Sequence, residues 1–207
     1  MSRGLARLPR ITRANVGRAL LVGYLCFLVL YLGSFQLSHQ RASVLAPSAL
    51  DLYIPESAAS IWVYLSQFIL LPATLLSEAD EQRLTRAYYA MLGATITSAL
   101  VFLIWPTTVG QTMSAGETSL AIVWRWLYFF DVPGNCFPSL HVALSLIACS
   151  LLARRGTLWR VLAPVWWLAI ALSTLTTRQH RLLDVAGGFA VGCLAWLITR
   201  QLALRRC

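Results

Sequence analysis

Long apolar runs, separated by short polar and arginine-rich segments, dominate the hydrophobic pattern of this chain. A helix needs roughly 20 mostly apolar residues to cross the hydrocarbon core of a bilayer. The pattern predicts six such helices, the fourth of them short, at about residues 18–37, 59–77, 88–105, 138–153, 158–176 and 183–203. We therefore expect an all-α integral membrane protein whose six transmembrane helices form one bundle.

A further apolar stretch lies between the third and fourth predicted spans. It covers 118–130, contains Arg125 and is too short to cross a bilayer. We predict a short interfacial or re-entrant helix there. The domain organisation that follows is a basic cytoplasmic N-terminus over 1–17 and a single six-span membrane domain over 18–207.

The composition supports a membrane location and argues against a soluble domain. Hydrophobic residues make up 58% of the chain and charged residues 12%, whereas soluble domains carry about 25% charged residues. The net charge of +9 comes from 17 basic residues, all of them arginine. A nucleic-acid-binding protein clusters such charge on one face. Here the arginines separate apolar runs, so we expect the lipid bilayer, and no nucleic acid, as a partner.

The distribution of arginine predicts how the chain is oriented. In the six-span arrangement, the side that holds both termini carries all but four of the 17 arginines. Cytoplasmic loops are enriched in Lys and Arg. We therefore expect a multi-pass protein of the inner or plasma membrane with both termini in the cytoplasm. The four on the opposite side are Arg41, Arg125, Arg178 and Arg181.

The first polar cluster, Asp131 to His141, precedes the fourth predicted span. Pro138 suits the first turn of a helix because its missing N–H would have no acceptor there. The N–H groups of Ser139, Leu140 and His141 would then be free to bind an anion, with help from the helix dipole. The alternative is a span that opens at a proline and is capped by Ser139.

The second polar cluster, Ser173 to Asp184, joins the fifth and sixth predicted spans. His180 and Asp184 are four residues apart and would share one face of a helix. An aspartate that accepts the imidazole Nδ1–H leaves Nε2 available as a nucleophile or base. The alternative is a polar span end with only a local His–Asp hydrogen bond.

The predicted topology brings His141 and His180 to the same membrane face, which the arginine count assigns to the periplasm or lumen. Two histidines, an aspartate, arginines and a helix N-terminus form a coherent set for phosphoryl transfer. Two histidines on neighbouring helices could instead bind haem or another metal.

These clusters resemble a known family. Phe137 to His141 looks like the second signature of the type-2 phosphatidic acid phosphatase superfamily, which usually reads P-S-G-H. Ser173 to Asp184 looks like its third signature, in which S-R is followed by five residues, H, three residues and D. The wider strings resemble the branch that includes inositol phosphorylceramide synthase and bacterial relatives. The resemblance covers about 50–203.

The resemblance implies a role for each matching residue and no cofactor or metal. His180 would form a phosphohistidine, Asp184 would orient it, and His141 would act as acid and base. Ser139 and Leu140 would hold phosphate oxygens. The sequence departs from the family because Leu140 replaces a glycine, Thr174 replaces an arginine, and the first signature, K-x6-R-P, is absent. We predict that Arg178, Thr174 and Arg125 supply the missing phosphate contacts and that Arg181 is an interfacial anchor.

The sequence thus predicts a membrane lipid phosphatase that hydrolyses a lipid-linked phosphomonoester or diphosphate. The alternative is a phosphotransferase that moves a phospho-headgroup to another alcohol. More remote alternatives are a bis-histidine haem protein and a non-catalytic scaffold. In the last span, Gly188 and Gly192 form G-x-x-x-G, a spacing that allows close helix contact. We expect it to pack the last span against the fourth.

Overall fold

The computed structural model describes residues 8–110, 120, 122–124 and 134–201. Most of this part of the chain is helical, with three short 3-10 turns and one pair of very short strands. The helices are α1 (Val16–Ser38), α2 (Ala49–Tyr53), α3 (Ile61–Leu76), α4 (Glu81–Ile104), α5 (Leu140–Leu152), α6 (Thr157–Thr176) and α7 (Leu182–Gln201). The strands are β1 (Ser43–Val44) and β2 (Thr107–Thr108).

Five of the described helical segments are long and apolar enough to cross a membrane. They are Val16–Arg41, Ala58–Leu76, Glu81–Ile104, Thr157–Thr176 and Leu182–Gln201. The helical membrane-type fold is therefore confirmed, while the predicted count of six spans is not. Most of the stretch 118–130, where a short helix was predicted, lies outside the described residues. Within this stretch, residues 122–124 are described and are helical.

The fourth predicted span corresponds to α5, which has 13 residues. At 1.5 Å per residue it is about 20 Å long, against a hydrocarbon core of about 30 Å. α5 contacts α3, α4, α6 and α7, and most of its side chains are buried. A helix that is surrounded by protein does not need to be long enough to span the hydrocarbon core by itself.

Two glycines of α7 let that helix lie directly against α5. A Cβ on Gly192 would stand 3.0 Å from the Ala143 carbonyl oxygen. A Cβ on Gly188 would stand 3.0 Å from the Cβ of Val142 and closer still to the carbonyl oxygen of Ser139. The packing predicted for the G-x-x-x-G sequence is confirmed, because only glycine leaves room for the backbones to approach this closely.

The loops at the His141 and His180 end of the bundle, which we term the histidine end, are joined by a small sheet. β1 and β2 pair in parallel, with Ser43 opposite Thr107 and Val44 opposite Thr108. Thr107 also bridges to Asn135, and its hydroxyl accepts the N–H of Phe137 at 2.9 Å. These contacts fix the segment that leads into α5.

At the opposite end, residues before α1 pack against the start of α4. The Thr85 hydroxyl accepts the N–H of Ile11 at 2.9 Å and donates to the Ile11 carbonyl at 3.0 Å. Asp80 caps α4 by accepting the N–H groups of Gln82 and Arg83. The described part of the basic N-terminal segment is therefore attached to the bundle.

Candidate active site

The start of α5 differs in detail from the sequence prediction. Ser139 is the N-cap, so Pro138 precedes the cap instead of occupying the first helical position. The Ser139 N–H is not free, since it donates to the Asp184 carbonyl oxygen at 3.0 Å. Leu140 and His141 are the first two helical residues, whose N–H groups have no acceptor within the helix. The anion site predicted from these groups therefore loses one of its three donors.

The Ser139 side chain lies at the α5–α7 contact. Ser139 is fully buried, and its hydroxyl makes no capping hydrogen bond. Within the described ranges, Ser139 Oγ has no hydrogen-bond partner. A buried polar atom without a partner is costly, and such atoms are typical of places where a ligand binds.

The imidazole of His141 is held by aromatic side chains of α3. Its ring stacks on Tyr64, with centroids 4.0 Å apart and planes 28° apart. The Phe68 ring lies nearly perpendicular to it, with centroids 5.9 Å apart. Tyr64 is itself fully buried beside Ile61 and Trp124. These contacts fix the plane of the His141 ring.

His180 and Asp184 lie together as predicted, but they do not share a helix, because α7 begins at Leu182 and His180 lies in the turn before it. Their Nδ1 and Oδ2 atoms are 3.5 Å apart, and both residues are buried. Asp184 Oδ2 also accepts the Arg181 N–H at 2.7 Å, so the carboxylate has a fixed position. In the part of the chain that the structure describes, Asp184 Oδ1 has no hydrogen-bond partner. The contact between the carboxylate and the ring nitrogen is longer than a hydrogen bond, and catalytic contacts often tighten only when substrate is bound.

A tight turn after α6 positions His180. The Thr174 carbonyl accepts the N–H groups of both Gln179 and His180 at 3.1 Å, and Arg178 adopts a left-handed conformation with φ 57°. The Thr174 hydroxyl donates to the Ala171 carbonyl at 2.8 Å within its own helix. Thr174 thus contributes its backbone to the turn that carries His180.

The two histidines meet at one site. Their ring centroids are 6.3 Å apart and the planes are inclined by 55°. The Ser139 N–H bond to the Asp184 carbonyl ties the two elements that carry them. Residues from the two sequence clusters, separated by most of α5 and α6, therefore form a single group of His141, His180, Asp184 and Ser139.

Arg178 is held by the loop around α2. Its Nε contacts Glu56 at 3.1 Å, and its two terminal nitrogens donate to the carbonyls of Asp51 and Ile54 at 3.1 and 3.0 Å. All three of its nitrogens thus have protein acceptors. The structure therefore places Arg178 as a tie between this loop and the His180 turn, and its role as a phosphate ligand stays a prediction.

Arg181 departs from the expected interfacial position, because it is only 8% exposed. One terminal nitrogen donates to the Val109 carbonyl at 3.2 Å, and within the described ranges its Nε has no partner. The sequence places Arg181 next to His180, but no sequence pattern predicts that the loop around Val109 contacts Arg181.

Asp51 lies next to the site and was missed by sequence reasoning. Its Oδ1 accepts the Leu182 N–H at 2.8 Å, directly at the turn between His180 and Asp184. Burial alone would raise the pKa of Asp51. Three hydrogen bonds outweigh this effect of burial: they come from the Ser48 hydroxyl and from the N–H groups of Leu182 and Ser48. Together with the Arg181 charge, they lower the pKa of Asp51. The signal in the sequence was an isolated acidic residue in a loop with few other charges.

Arg125 and Asp131 lie outside the described residues. Trp124, the residue before Arg125, is described and is fully buried against Tyr64 and Ile61. Since Tyr64 stacks on His141, the chain at residue 124 passes close to the site. Arg125 as a phosphate ligand stays a prediction.

Among the described residues, no group of three His, Cys, Asp or Glu side chains could hold a metal ion. A search of the curated proteins gives no match.

A family model does match, over residues 56–198, and its description is PAP2 superfamily. The chain belongs to the PAP2 superfamily. The match covers more than half of the chain and includes every described residue of the site except Asp51. PAP2 members are phosphoesterases, so membership supports an enzyme with phosphatase or phosphotransferase chemistry. The finer resemblance to inositol phosphorylceramide synthase is not part of this match.

Proposed function

We propose that the protein is a membrane lipid phosphatase that works through a phosphohistidine on His180. The observation that carries the proposal is the pairing of His180 with Asp184 at 3.5 Å and with His141 at 6.3 Å between rings. This arrangement supports a nucleophile, an orienting carboxylate and a second imidazole that act on one phosphate. Membership of the PAP2 superfamily supports phosphoester chemistry for this arrangement.

In the first step, His180 Nε2 attacks the phosphorus atom and the bond from phosphorus to the lipid oxygen breaks. Asp184 holds the Nδ1–H and stabilises the positive charge that the imidazole gains. His141, in its protonated form, donates a proton to the departing alcohol oxygen. The Ser139 hydroxyl and the N–H groups at the start of α5 stabilise the phosphoryl oxygens.

In the second step, neutral His141 removes a proton from water, and the water oxygen attacks phosphorus. The phosphorus–nitrogen bond breaks, which releases inorganic phosphate and restores His180. If an alcohol replaces water, the same steps transfer the phosphoryl group instead. We favour hydrolysis, because water needs no second substrate pocket.

The proposed location is the inner or plasma membrane, with both termini in the cytoplasm and the histidine end facing the periplasm or lumen. The arginine asymmetry of the sequence supports this orientation. Several apolar helices of spanning length support the membrane location itself.

The test uses purified protein in detergent with a panel of lipid phosphates, and separates the lipid products as well as assaying phosphate. We expect wild type to release phosphate and His180→Ala to release none. His39→Ala is the matched control, because His39 lies in another loop and its ring nitrogen contacts the Phe35 carbonyl.

Product formation only after an alcohol acceptor is added would replace hydrolysis by transfer. Phosphate release that survives in His180→Ala would contradict the mechanism. An unchanged lipid composition in cells carrying His180→Ala would favour the non-catalytic scaffold.

A further inference from the structure

A cavity within the bundle has no role in the chemistry described so far. It has a volume of about 300 Å³ and lies between α1, α3, α4 and α5. Its lining is mostly apolar and includes Gly23, Phe68, Leu71 and Leu144. Along α3 it extends from Gln67 to Leu75, which is about 12 Å at 1.5 Å per residue.

One end of this cavity lies beside the candidate active site. Phe68 lines the cavity, and its ring makes a perpendicular contact with His141. Leu144 also lines it and lies one helical turn after His141 on α5. A molecule with its phosphate between the histidines could therefore extend past Phe68 into this space.

The cavity contains one polar group that the protein leaves unsatisfied. Gln67 is 4% exposed, and among the described residues its Oε1 has no hydrogen-bond partner. Thr95, which also lines the cavity, donates its hydroxyl to the Met91 carbonyl at 2.9 Å. A polar side chain at this depth is costly in lipid, and a buried polar atom without a partner calls for an explanation such as a ligand.

We propose that this cavity holds the alkyl chain of the lipid phosphate, and that Gln67 Oε1 accepts a hydrogen bond from a hydroxyl or amide N–H on that chain. The inference rests on the proposed function. Gln67 lies one turn beyond Tyr64, the residue that stacks on His141, so the donor must lie close to the phosphoester. The substrate class is thus a lipid phosphate with a donor near its headgroup, as opposed to a polyprenyl phosphate, which has none.

The cavity contributes positioning more than affinity, because a lipid chain is already in an apolar medium before it binds. Filling the cavity should therefore displace the chain and misplace the phosphorus atom. Gly23→Leu does this, since its Cβ would stand 3.2 Å from the Tyr88 ring that also lines the cavity. Gly33→Leu is the matched control on the same helix, where an added Cβ meets nothing within 4 Å.

The experiment uses three photoreactive lipids with the same diazirine-bearing chain, in detergent and with turnover measured on the same samples. The first is a phosphomonoester with a hydroxyl and an amide N–H beside the phosphate. The second is a diacyl phosphomonoester without donors, and the third lacks phosphate. Mass spectrometry then locates the labelled residues.

We expect the first lipid to label α1, α3 or α4 within the cavity. Gly23→Leu should reduce this labelling about tenfold and Gly33→Leu should leave it unchanged. Gln67→Leu should reduce labelling and kcat/KM for the first lipid by about five- to tenfold, the range expected for one hydrogen bond. It should leave the diacyl lipid unaffected, and thermal melting of each variant checks its folding.

Equal labelling by the lipid without phosphate would show that the cavity holds ordinary bilayer lipid and would overturn the inference. So would labelling outside the cavity, or an equal effect of Gln67→Leu on both phosphomonoesters. The proposed function alone would fail if the wild-type protein is labelled as expected but turns over none of the lipids. Turnover that depends on His180 with label elsewhere would overturn the cavity assignment alone.

Discussion

Replacing Gly188 by alanine should separate the two helices that carry the site. An added Cβ would stand 3.0 Å from the Cβ of Val142 and closer than that to the Ser139 carbonyl oxygen. Real Cβ atoms essentially never come nearer than 3.0 Å to another heavy atom. The obstacle is backbone of α5, which cannot rotate away as a side chain does. The start of α5 must therefore move relative to α7.

That movement acts on the reacting groups directly. Ser139 is the residue that meets the new methyl group, and its N–H bond to the Asp184 carbonyl, now 3.0 Å, joins the two clusters. A displacement approaching 1 Å at catalytic groups lowers a rate by about 100-fold, which is about 2.7 kcal/mol of activation free energy. We expect Gly188→Ala to lower kcat by that order.

Two further glycines make a graded series. A Cβ on Gly192 would stand 3.0 Å from the Ala143 carbonyl oxygen, so Gly192→Ala should require a smaller shift and cost less activity. Gly93 in α4 has nothing within 4 Å of an added Cβ. Gly93→Ala should keep full activity and gain up to about 1 kcal/mol from helix propensity.

The assay measures kcat on the preferred lipid phosphate together with thermal melting in detergent. Wild-type kcat and melting temperature in Gly188→Ala would refute the close packing of α7 on α5. An equal loss in Gly93→Ala would show that the effect is not specific to this contact.

Three other predictions follow from the loops and side chains around the site. Arg178→Ala should lower the free energy of unfolding by about 1–2 kcal/mol through lost hydrogen bonds. Glu56→Ala removes only the exposed ionic partner of Arg178 and should lower the free energy of unfolding by less than about 1 kcal/mol. Equal melting temperatures for the two variants would contradict the tie between the α2 loop and the His180 turn. The pKa of Asp51 lies below its ordinary value of 3.8, so its stabilisation is present above pH 3.8 and is lost as pH falls through the lower, folded-state pKa. The melting temperatures of wild type and Asp51→Asn should therefore differ by a constant amount between about pH 5 and 8 and converge at lower pH; a difference that grows on acidification would refute this. Tyr64→Leu should lower kcat by up to about tenfold through loss of the stack on His141, and Tyr64→Phe should retain more activity. The reverse order would point to the hydroxyl instead of the ring.

The sequence predicted the long helices well because lipid imposes a simple rule on them. α1, α3, α4, α6 and α7 fall close to the predicted spans, since each needs about 20 apolar residues. α5 escaped that rule because its surroundings are protein, and burial by neighbouring helices places no lower limit on length. Its first helical residue was also predicted too early, because Pro138 and Ser139 stay outside the helix.

The residues of the site were predictable where local spacing determines them. His180 and Asp184 are four residues apart and do meet, although His180 lies in the turn before α7 and not on the helix that the spacing predicted. The G-x-x-x-G sequence predicted the α5–α7 contact. The contacts of Asp51 and Arg181 were not predictable, since they depend on loops far apart in the sequence. Asp51 reaches Leu182 across 131 positions, and Arg181 reaches Val109 across 72. No local pattern encodes such pairings.

The central claim is that His180 carries the phosphoryl group during turnover. The direct measurement is rapid quenching of the enzyme with a labelled lipid phosphate, followed by mass spectrometric mapping of the bound phosphate. The account predicts acid-labile phosphate on the peptide that contains His180, and none in His180→Ala. Phosphate on another residue, or turnover in His180→Ala at the wild-type rate, would contradict it.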